Sequence, residues 1–240
     1  MRLCRIFRRS DQTYDLSFDS SHGVRDVHAD IVLLALPFSV LRTIDFHHAD
    51  FDARKVEAIR QLGSARNAKV QAQFKSRIWN RTGAARMSTG GSYADTGYQS
   101  TWDVTRSQPG QSGILVNYMG GSVATTLRTR SPYALLHSSP SIEMDARRFL
   151  GQAESVFPGM TGEWSRRATV SIPHLDPDLQ LSYSFWKKGQ YQRIAGYERV
   201  NQGAIFFAGE HCSVDFQGFM EGGASEGERA ADEIIGMILP

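Results

Sequence analysis

The chain has 240 residues, of which 41% are hydrophobic and 22% are charged, the proportions of an ordinary globular protein. A chain of this length buries roughly 70% or more of its unfolded surface, so we expect a substantial core in one large or two small domains. The 27 Lys and Arg residues nearly balance the 25 Asp and Glu residues and form no basic stripe, which argues against a nucleic-acid partner.

The cysteine pattern and the apolar runs indicate a soluble protein of a reducing compartment. Cys4 and Cys212 cannot form a disulfide framework, and no CxxC motif or spaced histidine pair predicts a metal site. His211 is adjacent to Cys212, and neighbouring residues rarely point at one metal. The N-terminus lacks the apolar segment of a signal peptide, and the longest apolar run, 31–36, is too short to cross a bilayer. The sequence therefore predicts a cytoplasmic protein with no metal and no membrane contact.

The first forty residues are typical of strands. Alternating polar and apolar residues in RLCRIFRR and YDLSFDS, separated by a turn at 10–12, predict two short strands joined by that turn. The continuous apolar run ADIVLLALP ends at Pro37 and predicts a strand that is buried on both faces of a parallel or mixed sheet. A short helix is expected next, in FSVLRTI.

The segment DFDARKVEAIRQLG predicts the first long helix. Asp52 is a suitable N-cap, and Gly63 is a suitable stop signal. Its apolar positions, spaced at helical intervals, are Val56, Ile59 and Leu62. These signals place the helix between two sheet-forming parts of the chain.

The middle of the chain predicts a second set of strands followed by a helix. NAKVQAQFK and SGILVNYMGG both have strand composition, and the Gly-, Ser- and Arg-rich stretch between them predicts further strands and loops. Ser139 followed by Pro140 is a helix start signal, and the Phe-Pro-Gly sequence at 157–159 is a stop signal.

The last forty residues predict a strand, AIFFAG, and a helix that begins near Met220. Apolar residues at helical spacing are expected to face the core, with the acidic residues mostly on the other side. The apolar set is Ala224, Ala231, Ile234, Ile235 and Ile238, and the acidic set is Glu226, Glu228 and Asp232. Strands and helices that are mixed along the chain in this way predict an α/β fold.

The corner between this strand and this helix is a candidate binding site. Helix N-terminal amides carry a partial positive charge and favour an anionic or electron-rich ligand atom. Gly218, Gly222 and Gly223 permit close approach to the backbone, and Glu210 could accept hydrogen bonds from ligand hydroxyls. The alternative interpretation is that the glycines only let the last helix pack tightly on the sheet.

The sequence of this corner resembles a known family. FFAGEH followed by QGFMEGGASEGERAADEI is similar to the C-terminal signature of the flavin-containing amine oxidases, which include monoamine, polyamine and L-amino acid oxidases. ADIVLLALPFSVLRTIDF, NAKVQAQFKSRIW and FWKKGQY resemble further segments of that family in the same order, over residues 24–238. The resemblance implies that 1–42 and 200–240 form part of a discontinuous FAD-binding domain, including its closing strand and helix. It implies that 43–199 form the substrate-binding domain, with a mixed sheet.

The resemblance also implies an activity and a set of site residues. The activity is oxidation of an amine or amino acid by hydride transfer to FAD, with O2 reduced to H2O2. Lys69 would reach flavin N5 through a water, and the rings of Tyr191 and Phe219 would flank the substrate nitrogen. The implied cofactor-binding residues are Trp186, Gly209, Glu210, Gly218, Phe219 and Met220. Two alternatives stay open: that Lys69 shares a solvent face with Gln71 and Gln73, and that Trp186 is a plain core aromatic.

The sequence departs from the family pattern at three points. Phe219 stands where many members have tyrosine, and Gln190 stands where some monoamine oxidases carry the cysteine that bonds to flavin, so non-covalent FAD is expected. The GxGxxG dinucleotide-binding motif is absent from the 240 residues. Each lost hydrogen bond to a charged group costs roughly 1.5 to 3 kcal/mol, so the FAD site in this chain is expected to be incomplete. We therefore expect a fragment of a longer oxidase, or a subunit that needs a separate N-terminal FAD-binding chain or dimer partner.

Two other functions compete with amine oxidation. The chain could be a catalytically inactive module that binds a partner, or a relative that oxidises a non-amine substrate such as a porphyrinogen or a carotenoid. A hydrolase is disfavoured because no GxSxG motif occurs. Arg86 and Arg106 are candidates for binding the carboxylate of an amino acid substrate.

Overall fold

The computed structural model describes residues 1–81 and 88–239 and divides the chain into two compact units. Unit 1 comprises Met1–Ser64 and Pro177–Pro240, and unit 2 comprises Ala65–Asp176. Each unit has a hydrophobic core of its own. The roles of a FAD-binding domain and a substrate-binding domain, expected for 1–42 with 200–240 and for 43–199, stay predictions.

Strands and helices are interspersed along the described chain. The strands are β1 Arg2–Arg8, β2 Tyr14–Ser20, β3 Gly23–Ala29, β4 Val32–Leu34, β5 Asp45–His48, β6 Gly63–Ser64, β7 Asn67–Phe74, β8 Ser92–Tyr93, β9 Ser100–Asp103, β10 Gly113–Gly120, β11 Tyr133–Leu135, β12 Trp164–Ser171, β13 Ser184–Phe185 and β14 Ile205–Phe207. The α-helices are α1 Phe38–Leu41, α2 Ala53–Gln61, α3 Gly121–Ala124, α4 Pro140–Ala153, α5 Met160–Glu163, α6 Gln190–Ile194 and α7 Met220–Ile238. This mixture confirms the predicted α/β class.

Unit 1 contains a four-stranded sheet and two two-stranded sheets among its described residues. The four-stranded sheet has the order β3-β2-β1-β5, with β1 antiparallel to β2 and parallel to β5, which confirms the two predicted strands and the turn between them. Strand β4 pairs in parallel with β14, and β6 pairs with β13. The prediction that β4 is buried on both faces is wrong at Leu33, which is 43% exposed between buried Val32 and Leu34. Alternate side chains of a strand point to opposite faces, and only one face of β4 packs on the core.

Helix α2 begins and ends as its sequence predicts. The Asp52 side chain accepts a hydrogen bond from the backbone amide of Lys55, at 2.8 Å, and so caps the helix. Ile59 and Leu62 are buried, but Lys55 and Ala58 share the buried face and Val56 is only half-buried. The core of unit 1 thus receives a lysine side chain.

The described residues of unit 2 form a six-stranded sheet with the order β11-β12-β7-β10-β9-β8, together with helices α3, α4 and α5. Strand β7 lies between β12 and β10 and is antiparallel to both. Its even-numbered residues from Ala68 to Phe74 are buried in a core that includes Ile142 and Phe149 of α4, and its odd-numbered residues are half-buried. One face of the sheet therefore packs on α4, and the opposite face carries polar side chains.

The predicted orientation of α7 is wrong. Gly222, Glu226 and Ala230 form its buried face, whereas the predicted core residues Ala224, Ala231, Ile235 and Ile238 are exposed. The physical reason is an ion-pair network: Glu226 lies 2.7 Å from Arg229 and 3.6 Å from Arg199. Arg229 also donates a hydrogen bond of 2.6 Å to the carbonyl of Phe207. A paired carboxylate can be buried, and hydropathy alone gives no signal of the pairing.

Residues 1–81 and 88–239 contain neither a membrane-spanning helix nor a metal-binding cluster. No described helix is long and apolar enough to span a bilayer. The described part of the chain also contains no cluster of His, Cys, Asp and Glu side chains able to hold a metal ion.

Candidate functional site

The corner between β14 and α7 has a backbone that requires glycine. Buried β14 leads to Gly209, whose φ is 132°, and then to a 3₁₀ turn at Glu210–Cys212. A Cβ added at Gly209 would lie 2.8 Å from the His211 ring. Gly218, just before the helix, has a φ of 86°. Both glycines are therefore explained by left-handed backbone conformations that side chains rarely adopt.

The two glycines in the first turn of α7 differ in their surroundings. A Cβ at Gly222 would lie 2.3 Å from the backbone oxygen of Phe216, so only glycine fits there. A Cβ at Gly223 would lie no closer than 4.0 Å to its nearest neighbour, the Glu210 amide nitrogen. Packing thus explains Gly222 and leaves Gly223 unexplained, at the position where a ligand would approach the helix start.

Glu210 links two segments of the corner. Its Oε1 accepts a hydrogen bond of 2.8 Å from the Ser184 amide, and its Oε2 accepts one of 2.7 Å from the Gly218 amide. These bonds join β13 to the loop before α7. Each carboxylate oxygen keeps a further lone pair, so its predicted bond to a ligand hydroxyl stays a prediction.

The start of α7 presents donors that the helix itself does not use. The first amides of a helix have no intrahelical acceptor, and the N-cap residue Phe219 makes no side-chain capping bond. Phe219 and Met220 are 68% and 94% exposed. An uncapped helix start with an open glycine position fits the electron-rich edge of a flavin ring, the group that the sequence predicts here.

Two of the predicted aromatic residues contact each other. The rings of Trp186 and Tyr191 meet edge to face, with centroids 5.0 Å apart. The Trp186 Nε1 donates a hydrogen bond of 2.7 Å to Oε1 of Glu198, which is fully buried. Among the ring pairs of the described residues, Phe219 contacts none. The structure therefore places Trp186 against Tyr191, and we call this pair the aromatic wall. The predicted slot between Tyr191 and Phe219 stays a prediction.

A buried lysine lies behind this corner. The Lys55 Nζ donates to the carbonyls of Tyr197 and Glu198 at 3.0 and 2.7 Å, and it lies 3.8 Å from the centroid of the Phe207 ring. Lys55 is fully buried, and burial lowers its pKa to about 7. Burial raises the pKa of the Glu198 carboxyl. The carbonyls and the aromatic ring partly compensate the cost of burying an ammonium group.

His211 and Cys212 are core residues of unit 1. Both are buried, and burial lowers the pKa of His211 to about 3, with the charge of Lys55 acting in the same direction. Burial also raises the pKa of the Cys212 thiol. The imidazole is thus neutral and the thiol protonated at neutral pH. Both cysteines are free, with Cys4 half-buried.

Lys69 belongs to the polar face of the unit 2 sheet. It is half-buried and shares that face with Gln71 and Gln73, as strand parity requires. Its Nζ lies 5.9 Å from the centroid of the Trp102 ring. Its predicted approach to the flavin stays a prediction.

The remaining candidates have local partners or lie outside the described residues. Gln190 is buried, accepts a bond of 2.8 Å from the Lys187 amide and donates one of 2.7 Å to the Gln61 carbonyl. Arg106 is exposed and donates to the Thr89 carbonyl at 3.3 Å. Arg86 lies outside the described residues.

Sequence reasoning missed Lys55 and Glu198. A signal existed for Lys55, because it lies four positions before Ile59 and therefore on the same helical face. Glu198 lies in an irregular segment, where no periodicity marks a buried side.

Comparison with known proteins identifies similar sequences. A family model described as flavin containing amine oxidoreductase matches residues 2–235. A putative L-amino-acid oxidase of Bacillus subtilis (strain 168) is 28% identical over 214 residues, which cover 86% of this chain and 41% of that protein. The lysine-specific histone demethylase 1B of Mus musculus is 25% identical over 211 residues, covering 86% of this chain and 24% of that protein. The chain thus spans less than half the length of these relatives.

Solved structures share the fold. Cyclohexylamine oxidase from Brevibacterium oxydans IH-35A superposes with a TM-score of 0.79 at 19% identity, over 99% of this chain and 48% of that one. Wild-type putrescine oxidase bound to putrescine superposes with a TM-score of 0.75 at 17% identity, over 98% of this chain and 48% of that one. At these identities the likeness shows the fold alone.

Proposed function

Because the chain belongs to the family of flavin containing amine oxidoreductases, we propose that it is part of an FAD-dependent oxidase of amines or amino acids. In that oxidase it forms the parts that contact the flavin ring and the substrate. The observation that carries the proposal is the uncapped start of α7 beside Gly223, directly after the strand that bears the family signature. Three of the similar proteins are named as oxidases of an amine or an amino acid, which supports a small-molecule amine as substrate.

When bound, FAD supplies the acceptor for the hydride equivalent that leaves the carbon bearing the nitrogen, and O2 then takes the electrons to give H2O2. The amides of Met220 and Glu221 would hold the electron-rich edge of the ring, because a helix N-terminus stabilises negative charge. Tyr191 and Phe219 flank the substrate nitrogen, and Trp186 supports the ring of Tyr191. Lys69 holds a water by its Nζ.

The mode of cofactor binding follows from one side chain, Gln190, and from one missing motif, GxGxxG. Gln190 offers no thiol to the flavin, so FAD is held non-covalently. The sequence has no GxGxxG motif, so the ADP part of FAD is bound by protein outside these 240 residues, either a longer form of this chain or a partner polypeptide. We place the protein in the cytoplasm, which its two free cysteines support.

The test is flavin reduction without oxygen. The purified protein is saturated with FAD, with and without any polypeptide encoded beside it that carries GxGxxG, and primary amines, secondary amines and amino acids are added in turn. At least one class should bleach the visible absorbance of bound flavin. Lys69→Met should slow bleaching, and the matched control Lys75→Met, an exposed lysine just beyond β7, should leave it unchanged. Bound flavin that stays oxidised with every class contradicts the proposal and indicates an inactive binding module.

A further inference from the structure

Unit 2 contains a cavity of about 590 Å³ on the polar face of its sheet. Gln71 and Gln73 of β7 line it, and they project from the same face as Lys69, opposite to the face that packs on α4. The volume lies within the range of small-molecule binding sites. The cavity is thus built on the strand that carries the predicted catalytic lysine.

The lining of this cavity includes two arginines, Arg166 and Arg167 of β12. Strand β12 is bulged there: Trp164 pairs with Phe74, and Arg167 pairs with the very next residue, Gln73. Arg166 has a φ of 58°, a left-handed conformation that is costly for a residue with a long side chain. A bulge of this kind changes the direction of side chains, and such bulges are common near functional sites.

The two guanidinium groups have no acidic partner within the part of the chain that the structure describes. Other arginines of unit 2 do have one: Arg147 pairs with Glu143 at 2.6 Å, and Arg81 with Glu163 at 3.0 Å. Unpaired guanidinium groups at the wall of a cavity favour an anion, and their planar fork matches a carboxylate.

The cavity also has an aliphatic lining, which Val104, Ile114 and Leu135 provide. Leu135 lies on β11, next to β12, and Ile114 lies on β10, beyond β7. A ligand that matches both kinds of lining carries a carboxylate and a branched aliphatic group. A simple aliphatic amine would leave both arginines without a partner.

We infer that Arg166 and Arg167 form a carboxylate-binding subsite, and that the substrate is an amino acid with an aliphatic side chain. This inference rests on the proposed function, whose substrate class it narrows. The strained backbone at Arg166 is then accounted for by the direction it gives to the guanidinium group.

Three probes of matched shape test the subsite without flavin. Leucine carries a carboxylate and an amine, 4-methylpentanoate carries only the carboxylate, and 3-methylbutylamine carries only the amine. Binding of each to the purified full chain is measured by calorimetry. We expect leucine and 4-methylpentanoate to bind and the amine to bind about tenfold or more weakly, because it makes no charge-assisted bond to arginine. Equal binding of the amine, or no binding of leucine, overturns the inference.

Substitutions of Arg166 and Arg167 test whether the carboxylate binds at these two residues. Arg166→Gly and Arg167→Gln should each weaken 4-methylpentanoate binding by about tenfold. The control Arg148→Gln, which removes the same charge from α4, should leave binding unchanged. Arg166→Gly should also raise the melting temperature, because glycine accepts a positive φ without strain, so lost binding cannot be assigned to unfolding. Unchanged binding in Arg166→Gly and Arg167→Gln, or an equal loss in the control, contradicts the subsite.

These binding measurements need no flavin. A negative binding result can therefore be distinguished from a negative result in the flavin-reduction test of the proposed function. Amine-driven flavin reduction without carboxylate binding would leave an amine oxidase that has no carboxylate subsite. Carboxylate binding without any flavin reduction would keep the subsite and overturn the oxidase.

Discussion

The corner of unit 1 and the cavity of unit 2 use polar groups in opposite ways. At the corner, Glu210 bonds two backbone amides of the chain itself, and Gly222 fits closely against Phe216. In the cavity, Arg166 and Arg167 have no acidic partner among the described residues. The family motif therefore includes residues that determine the backbone conformation as well as residues that are expected to contact a ligand. At the corner, the open features are Gly223 and the first amides of α7.

The largest effect is expected from Gly222→Ala, and its matched partner is Gly223→Ala. We expect Gly222→Ala to lower the free energy of unfolding by about 3 kcal/mol, because its Cβ would overlap a backbone oxygen. Gly223→Ala should raise it by up to about 1 kcal/mol, since alanine is the better helix former. Urea denaturation measures both. Equal effects would show that the two positions do not differ as described.

The contact between Glu198 and Trp186 tests what holds the aromatic wall. Glu198→Leu should lower the free energy of unfolding by about 2 kcal/mol, because it removes the acceptor of the part-buried hydrogen bond from Trp186 Nε1. It should also change the near-ultraviolet circular dichroism of the Trp186 and Tyr191 pair. Glu198→Gln keeps an acceptor oxygen and should restore the spectrum. A spectrum that is the same in all three proteins would contradict this role for Glu198.

The lowered pKa of Lys55 predicts that the free energy of unfolding depends on pH. Its folded pKa is about 7, and the unfolded chain has an ordinary lysine pKa of about 10.4, so the unfolded state binds more protons between these values. The free energy of unfolding should therefore rise with pH from about 7, by at most about 1.4 kcal/mol per pH unit. The raised pKa of Cys212 gives the opposite slope above about pH 8.5, so the window is pH 7 to 8.5. Denaturation of Lys55→Met should show no rise there, and a rise equal to that of the unchanged protein would contradict the assignment.

The smallest expected effect is that of Lys69→Met on stability. Lys69 is half-buried on the polar sheet face, so the free energy of unfolding should change by less than about 0.5 kcal/mol. Thermal unfolding of this variant beside Lys75→Met measures the difference. A loss of several kcal/mol would mean that Lys69 is a structural residue, and slower flavin reduction in that variant could not then be assigned to chemistry.

Local signals in the sequence were sufficient for much of the fold. The strands β1 and β2, the capped helix α2 and the start of α4 at Pro140 depend on contacts between near neighbours, which periodicity and caps describe. The orientation of α7 was not predictable in this way, because Arg199 pairs with Glu226 from a distant loop.

The same distinction between local and long-range contacts applies to the candidate site. The corner was predicted from a motif that is contiguous in sequence. The cavity depends on register, since Arg167 pairs with Gln73, and Thr169 with Gln71, across almost a hundred residues. Only a known pairing of β7 with β12 brings these side chains together.

We propose that the open start of α7 holds the flavin ring. Binding of free flavins to the purified chain tests this claim. The purified chain is titrated with riboflavin and with FAD, and quenching of flavin fluorescence is followed. Because the sequence has no GxGxxG motif, both flavins should bind with similar affinity, and Gly223→Ala should weaken both while leaving the protein folded. Absence of binding by either flavin, or binding that Gly223→Ala does not change, would contradict the claim.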